Sequence, residues 1–315
     1  MIVAAGLTPA WQQILCFDQL TLGEVNRAAQ AYWCASGKVL NVAVALKHLG
    51  AECRTVCPLG GPARPAIEQE LAALGLDVTW IDSQRPTRVC TTLIDRTSGV
   101  VSELVENSPP LEPGELATYI DAFREAARGS EIAVLSGSLP ALAPPDFYRQ
   151  LLSGSKLAAV IDARGPELLA TLELRPMVVK PNREELARTL GRSLDTDADL
   201  VEGMRQLNQA GAVWVVVTAG KRPVWMSSSE KVLRFETPTV AKVENPIGCG
   251  DCLAAGIAYG LALGNSPQDA VSLGMAAAAE NLAHVLPARL QRDVVFKLAA
   301  SIEGTSPAAA AGGLS

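Results

Sequence analysis

The pattern of apolar and polar positions changes period along the chain. From residue 130 onward, short continuous apolar runs at 132–135, 157–161, 177–179 and 213–217 alternate with segments of helical period at 145–152 and 184–190. Continuous apolar strands separated by helices predict a parallel sheet buried on both faces. Upstream, two more helices are expected over 41–49 and 66–74, stopped by Gly50 and Gly75, the position where a left-handed residue ends a helix. The fold class that follows is α/β, a mostly parallel central sheet flanked by helices in an αβα sandwich.

Two stretches break the alternation. Residues 12–34 and 87–106 are rich in Val, Thr and Cys and read as short strands without intervening helices, most clearly over 88–94 and 100–104. They are expected to pair into a small β-sheet lid on a single α/β domain spanning 1–304. The alanine- and glycine-rich stretch 305–315 is expected to be a disordered tail.

Composition narrows the function. The 315 residues carry a formal charge of −6 and no run of Lys or Arg, which argues against a nucleic-acid binder, whose affinity rests on basic side chains set against phosphates. An anionic ligand would have to be held locally. No apolar stretch approaches the ~18 residues of a membrane span, and residues 1–6 are too short and uncharged a run for a signal peptide, so a cytoplasmic protein is expected. Seven scattered cysteines are an odd number and suggest reduced thiols. Cys249 and Cys252 have C-x-x-C spacing, but Cys53 and Cys57 lie in a strand-like run. His48 and His284 stand at no ligand-like distance in sequence from a cysteine. Buried thiols, rather than a zinc or redox centre, are the expectation.

The sharpest local signal is Asn245-Pro246-Ile247-Gly248-Cys249-Gly250-Asp251, followed by a small-residue helical run through Gly260. Glycines at 248 and 250 let backbone N–H groups turn toward a ligand at the positive end of the following helix. Asp251 would sit in the first turn, where the helix dipole favours an ionised carboxylate. A carboxylate beside a backbone anion hole suits phosphoryl transfer, the base taking a hydroxyl proton while N–H groups stabilise the phosphoryl group. A glycine turn with an aspartate capping the helix fits the segment equally well. A P-loop is absent, because Gly37-Lys38 and Gly220-Lys221 are followed by Val39 and Arg222. The Rossmann glycine pattern fails at Leu253.

A second signal is Ser36-Gly37-Lys38-Val39-Leu40-Asn41. Lysine at a helix start opposes the dipole unless something negative lies there. Asn41 could meet a sugar hydroxyl from the same turn; a solvated Lys and a capping Asn are the ordinary alternative.

Taken together, these segments resemble the ribokinase/PfkB sugar kinases, within them the branch of 1-phosphofructokinase and tagatose-6-phosphate kinase. The resemblance rests on Leu7-Thr8-Pro9-Ala10, Gly23-Glu24-Val25-Asn26-Arg27, Gly37-Lys38 with Asn41, Leu135-Ser136-Gly137-Ser138-Leu139-Pro140, Ile161-Asp162, Lys180-Pro181-Asn182 with Glu185, and Gly248-Cys249-Gly250-Asp251, in order over nearly the whole chain. It implies a ribokinase-like fold and an ATP- and Mg2+-dependent carbohydrate kinase.

By the same resemblance, Asp251 is the catalytic base, and Gly248, Cys249 and Gly250 form the anion hole. Lys180, Asn182 and Glu185 serve nucleotide phosphates, Glu185 and Asn182 holding the metal through water. Thr218, Gly220 and Asn281 lie on the nucleotide side, Asn281 near the adenine. Gln12, Gly37, Lys38, Asn41, Arg88 and Ser138 fall on the sugar-phosphate side, Arg88 and Ser138 being equally readable as a surface charge and a turn residue. The lid implies a homodimer, with Arg27 reaching toward a neighbouring subunit.

The chain departs from the family where sugar is gripped. Gln12 stands where an aspartate is usual, so an acceptor has become an amide that also donates. Ser36 and Val39 replace glycines, and Pro223 replaces a common glycine in the nucleotide loop. The expected substrate is a ketohexose phosphate: fructose 1-phosphate, tagatose 6-phosphate or fructose 6-phosphate. The alternatives are a kinase for an unphosphorylated sugar or a nucleoside, and a non-catalytic sugar-phosphate sensor.

Overall fold

The computed structural model describes residues 1–307. In chain order its strands are β1 (Ile2–Ala5), β2 (Ala10–Phe17), β3 (Gln30–Ser36), β4 (Cys53–Leu59), β5 (Asp77–Asp82), β6 (Arg88–Asp95), β7 (Val101–Val105), β8 (Ile132–Ser136), β9 (Ala158–Asp162), β10 (Val178–Val179), β11 (Trp214–Ala219), β12 (Arg222–Ser227), β13 (Val232–Phe235) and β14 (Gly304–Thr305). The helices are α1 (Lys38–Leu49), α2 (Arg64–Ala73), α3 (Pro113–Ala126), α4 (Phe147–Leu152), α5 (Gly165–Leu169), α6 (Arg183–Leu190), α7 (Asp197–Gln209), α8 (Cys249–Ala262), α9 (Pro267–Asn281) and α10 (Arg292–Ala299).

Ten strands form one sheet in the order β14-β13-β12-β11-β10-β9-β8-β1-β4-β5. It is parallel from β11 through β5 and antiparallel across β11 to β14. Alternate residues of its parallel strands enter different cores. Ile2, Ala4, Val134, Val160 and Val216 pack with α1, α8 and α9, whereas Val3, Ala5, Leu135, Ile161 and Val217 pack with α3, α4, α6 and α7. A strand buried on both faces needs apolar residues at every position, which is why these segments are continuous runs. The apolar start of the chain, dismissed as a leader, is a central strand.

The expected segments form close to their sequence positions, with α1 starting three residues before the expected 41. The antiparallel edge was not anticipated. Thr305, placed in the tail by sequence, pairs with Arg234; residues 308–315, where the rest of the expected disorder falls, lie outside the described residues.

The 12–34 and 87–106 stretches do pair, into a four-stranded sheet ordered β3-β2-β6-β7. Its inner face carries Ile14, Cys16, Cys34 and Ile94 against Val285 and Leu286 of the main layer. On the opposite face Trp11 and Trp33 stack, their rings 5.6 Å apart, with Trp11 also packed against the main core. The lid joins the main layer at Gly37, whose φ of +87° and close backbone neighbours, with Thr8 O only 2.7 Å from where a Cβ would lie, admit no side chain.

Candidate active site

Parallel α/β sheets bind ligands at the carboxyl ends of their strands, and here β8, β9, β10 and β11 end in Ser136, Asp162, the residue before Lys180, and Ala219. The N-termini of α1 and α8 reach the same edge. Asp162, fully buried, is the hub: its Oδ1 accepts from Lys38 Nζ at 3.2 Å and from Lys180 Nζ at 3.1 Å, and its Oδ2 from Ser136 Oγ at 3.2 Å. Burial alone would raise its pKa, but the two ammonium groups outweigh it and hold the carboxyl below its ordinary value. Lys38 also lies 3.9 Å from Glu185 Oε1. Burial would lower the Lys38 pKa, yet Asp162, Glu185 and Asp251 together raise it. The cation at the start of α1, unfavourable by sequence, is thus neutralised by carboxylates from other elements.

Asp251 occupies the third position of α8 and is 6% exposed. Asn41 Nδ2 donates to its Oδ2 at 2.7 Å, while Ser36 Oγ donates to Asn41 Oδ1 at 3.1 Å. The helix start was expected to keep Asp251 ionised. Burial instead lifts it to about 7, with Lys38, the Asn41 bond and Lys180 acting downward and Asp162 upward. A carboxylate near neutrality accepts a proton more readily than one at its ordinary pKa.

The turn before α8 has Gly248 at φ +87°, with Pro287 Cβ 2.9 Å from where its Cβ would stand. Cys249 N–H turns back onto Pro246 O at 3.3 Å, so it is not free for a ligand as expected. Gly250 and Asp251, at the second and third helical positions, have N–H groups with no intrahelical acceptor. A Cβ at Gly250 would lie 3.6 Å from Lys180 Nζ, so the buried ammonium stands over that turn.

Asn182 and Glu185 first serve α6: Asn182 Oδ1 accepts from Glu185 N at 2.8 Å, and Glu185 Oε2 from Asn182 N at 2.9 Å, a capping box. Asn182 also bridges Thr218 on β11. One Glu185 oxygen remains directed at Lys38. A lone hard oxygen donor beside a cap fits Mg2+ held through water rather than an all-protein cage.

The other sequence candidates lie apart from this network. Gln12 faces inward on β2 and donates to Thr92 Oγ1 at 2.8 Å. Arg88 bonds three backbone carbonyls, Thr8, Pro9 and Glu106, at 3.2–3.3 Å and lines a cavity of about 520 Å3 with Trp11, Pro86 and Asn107. Ser138 and Gly220 are exposed. Asn281 is fully buried at the end of α9, with its carboxamide bonded to Ile247 O, Cys249 Sγ, Ala288 N and Cys252 Sγ. Asp162 carried no assigned role, although Ile161-Asp162 stands among the segments of the family resemblance.

A buried carboxylate, two lysines and a helix start are gathered on the carboxyl edge of a parallel sheet, the edge where α/β enzymes bind their ligands. Residues 6–289 match the pfkB family carbohydrate kinases, and the chain belongs to that family. It is 28% identical over 267 residues to a tagatose-6-phosphate kinase of Staphylococcus epidermidis, covering 83% of this chain and 85% of the relative. Phosphofructokinase-2 of Escherichia coli in complex with fructose-6-phosphate superposes with a TM-score of 0.84 at 25% identity, over 95% of this chain and 99% of that one. A possible 1-phosphofructokinase of Thermotoga maritima gives 0.88 at 18% identity, over 97% and 99%; at that identity the likeness concerns fold. The protein is a carbohydrate kinase with a ribokinase-like fold. Among the described residues no helix is long and apolar enough to cross a membrane.

Proposed function

We propose that the chain transfers the γ-phosphoryl group of ATP to a hydroxyl of a sugar phosphate, a ketohexose phosphate such as tagatose 6-phosphate, fructose 6-phosphate or fructose 1-phosphate, with Asp251 as general base. The observation that carries this is the Asp251 carboxylate, lifted to about 7 and held by Asn41 beside the first turn of α8. Asp251 takes the acceptor's proton as its oxygen attacks in line. The N–H groups of Gly250 and Asp251, with Lys180 and Lys38, meet the charge on the transferred group. Lys180, Asn182, Glu185, Thr218 and Gly220 form the nucleotide side; Gly37, Lys38, Asn41 and Ser138 form the sugar side. Glu185 and Asn182 would hold Mg2+ through water, and the ion would supply neutralisation of phosphate charge when bound. The substrates named for the Staphylococcus relative and for the Escherichia complex support a phosphorylated ketohexose.

The lid exposes Trp33 and Leu104, which supports pairing with a second copy, toward which Arg27, exposed on the β2–β3 connection, would reach.

One observation favours the second reading, an unphosphorylated sugar or nucleoside as acceptor: Arg88 is committed to three backbone carbonyls. ADP release measured with MgATP against sugars, sugar phosphates and nucleosides separates the two. Turnover confined to ketohexose phosphates is expected, with at least ~10³-fold loss in Asp251→Asn. Preference for free sugars, together with Lys38→Ala leaving KM unchanged, would favour the second reading. Binding without turnover would indicate a sensor.

A further inference from the structure

The turn that opens α8 is held by Asn245, whose Oδ1 accepts from Ile247 N at 3.0 Å, by the Cys249 N–H bond to Pro246 O, and by the carboxamide of Asn281. Asn281 Nδ2 donates to Ile247 O at 2.9 Å and to Cys249 Sγ at 3.3 Å, and its Oδ1 accepts from Ala288 N at 2.7 Å and Cys252 Sγ at 3.5 Å. Both amide protons and both carbonyl lone pairs are used, which exhausts the group's capacity. The side chain is wholly buried. Together with Pro287 it forms the floor under Gly248, Asn281 Oδ1 lying 3.6 Å from where a Cβ there would stand.

The orientation has a geometric consequence. The Ile247–Gly248 peptide is trans, the described chain having no cis bonds, so its C=O and N–H point in opposite directions. Pinning Ile247 O onto Asn281 turns Gly248 N–H away from that carboxamide. At φ +87° the glycine backbone has other accessible conformations, and nothing in its own side chain selects this one. Asn281 holds the carbonyl of its N-terminal peptide, beside Asn245 on the preceding N–H. The two sulfurs fix the first and fourth residues of α8 to the same amide, so the loop and the helix start move as one piece.

We propose that Asn281 is the positioning residue of the anion hole: it touches no reacting atom, and it orients the Gly248 N–H and the first turn of α8 for the transferred phosphoryl group. This rests on the kinase reading for the identity of that group but not on which sugar accepts it. A donor aimed at developing charge acts mainly in the transition state, and loss of one such donor costs on the order of 10²–10³ in kcat.

The test compares wild type with Asn281→Ala and with Asn281→Asp, which keeps an acceptor for Ala288 N–H but cannot donate to Ile247 O. Calorimetric titration with MgADP alone and with MgADP plus fluoroaluminate, a mimic of the phosphoryl group in flight, reads the anion hole without any sugar. Thermal melting in parallel corrects for the folded fraction. Each variant that folds should bind MgADP within ~3-fold of wild type, lose most of the fluoroaluminate-dependent gain in affinity, and show kcat reduced ~10²-fold with KM little changed on whichever acceptor the wild type uses. A folded variant that keeps the full gain overturns the positioning role alone. A wild type that gains nothing from fluoroaluminate overturns the anion hole, and this inference with it, whichever sugar is phosphorylated.

Discussion

Asn41 and Asp251, 210 residues apart, meet at 2.7 Å where the first turns of α1 and α8 converge. A hydrogen bond donated to a carboxylate favours its charged form, so Asn41 partly offsets the burial that raises Asp251. In its proposed role as base Asp251 must be deprotonated to act, and kcat/KM of the wild type is therefore expected to climb with pH through about 7. In Asn41→Leu the offset disappears and the acid limb moves to higher pH. A pH–rate profile of the two proteins checks this, and an unmoved limb would separate the bond from the base's titration.

Asp251 also weighs on stability. Its folded pKa of about 7 exceeds the ordinary 3.8, so the folded state holds the proton more tightly, and stability falls as pH rises from about 4 to 7. Above that range the ionised, buried carboxylate exerts its full destabilising effect. Asp251→Asn, inactive, should consequently be more stable than wild type at pH 8, by ~1–3 kcal/mol, with the difference shrinking toward pH 5. Denaturant titrations at both pH values measure it.

Asp162 acts in the opposite sense. Lys180, with a side chain 4% exposed, has Asp162 as its ion-pair partner among the described residues. Asp162→Ala leaves that ammonium buried without compensation, and a loss of ~3–5 kcal/mol is expected. Because the Asp162 pKa is depressed, its contribution is present above the ordinary carboxylate range and fades as pH falls below it. A variant as stable as wild type at pH 7 would show that Lys180 finds other compensation.

Gly37→Ala tests the joint between lid and main layer. A Cβ there meets Thr8 O, Pro9 Cα and Ala10 N at 2.7–2.9 Å with φ at +87°. The expected cost is at least ~1–3 kcal/mol, accompanied by a raised KM for the sugar, since Lys38 and Asn41 follow immediately on α1. Melting curves and steady-state kinetics on the same preparation report both effects.

Much was legible in the sequence because it was local. Continuous apolar runs required a sheet covered on both faces, Gly50 stopped α1, and Gly248-Cys249-Gly250-Asp251 announced a helix start with a carboxylate in its first turn. Local pattern also located the two lid stretches, since β-rich segments without helices between them have no place in a parallel layer. What depended on contact between distant segments was decided only by tertiary structure. The hub role of Asp162 exists because three strand ends and α1 converge on it. The bonding of Asn281 was not legible locally, because its four partners come from two separate segments, the 247–252 stretch and Ala288. The Asp251 carboxylate was expected to be ionised from its helix position alone, whereas burial, a property of the packed chain, brings it to about 7. Sequence period determines which residues share a face; how deeply a charge is buried, and which charges surround it, is fixed only when the faces close.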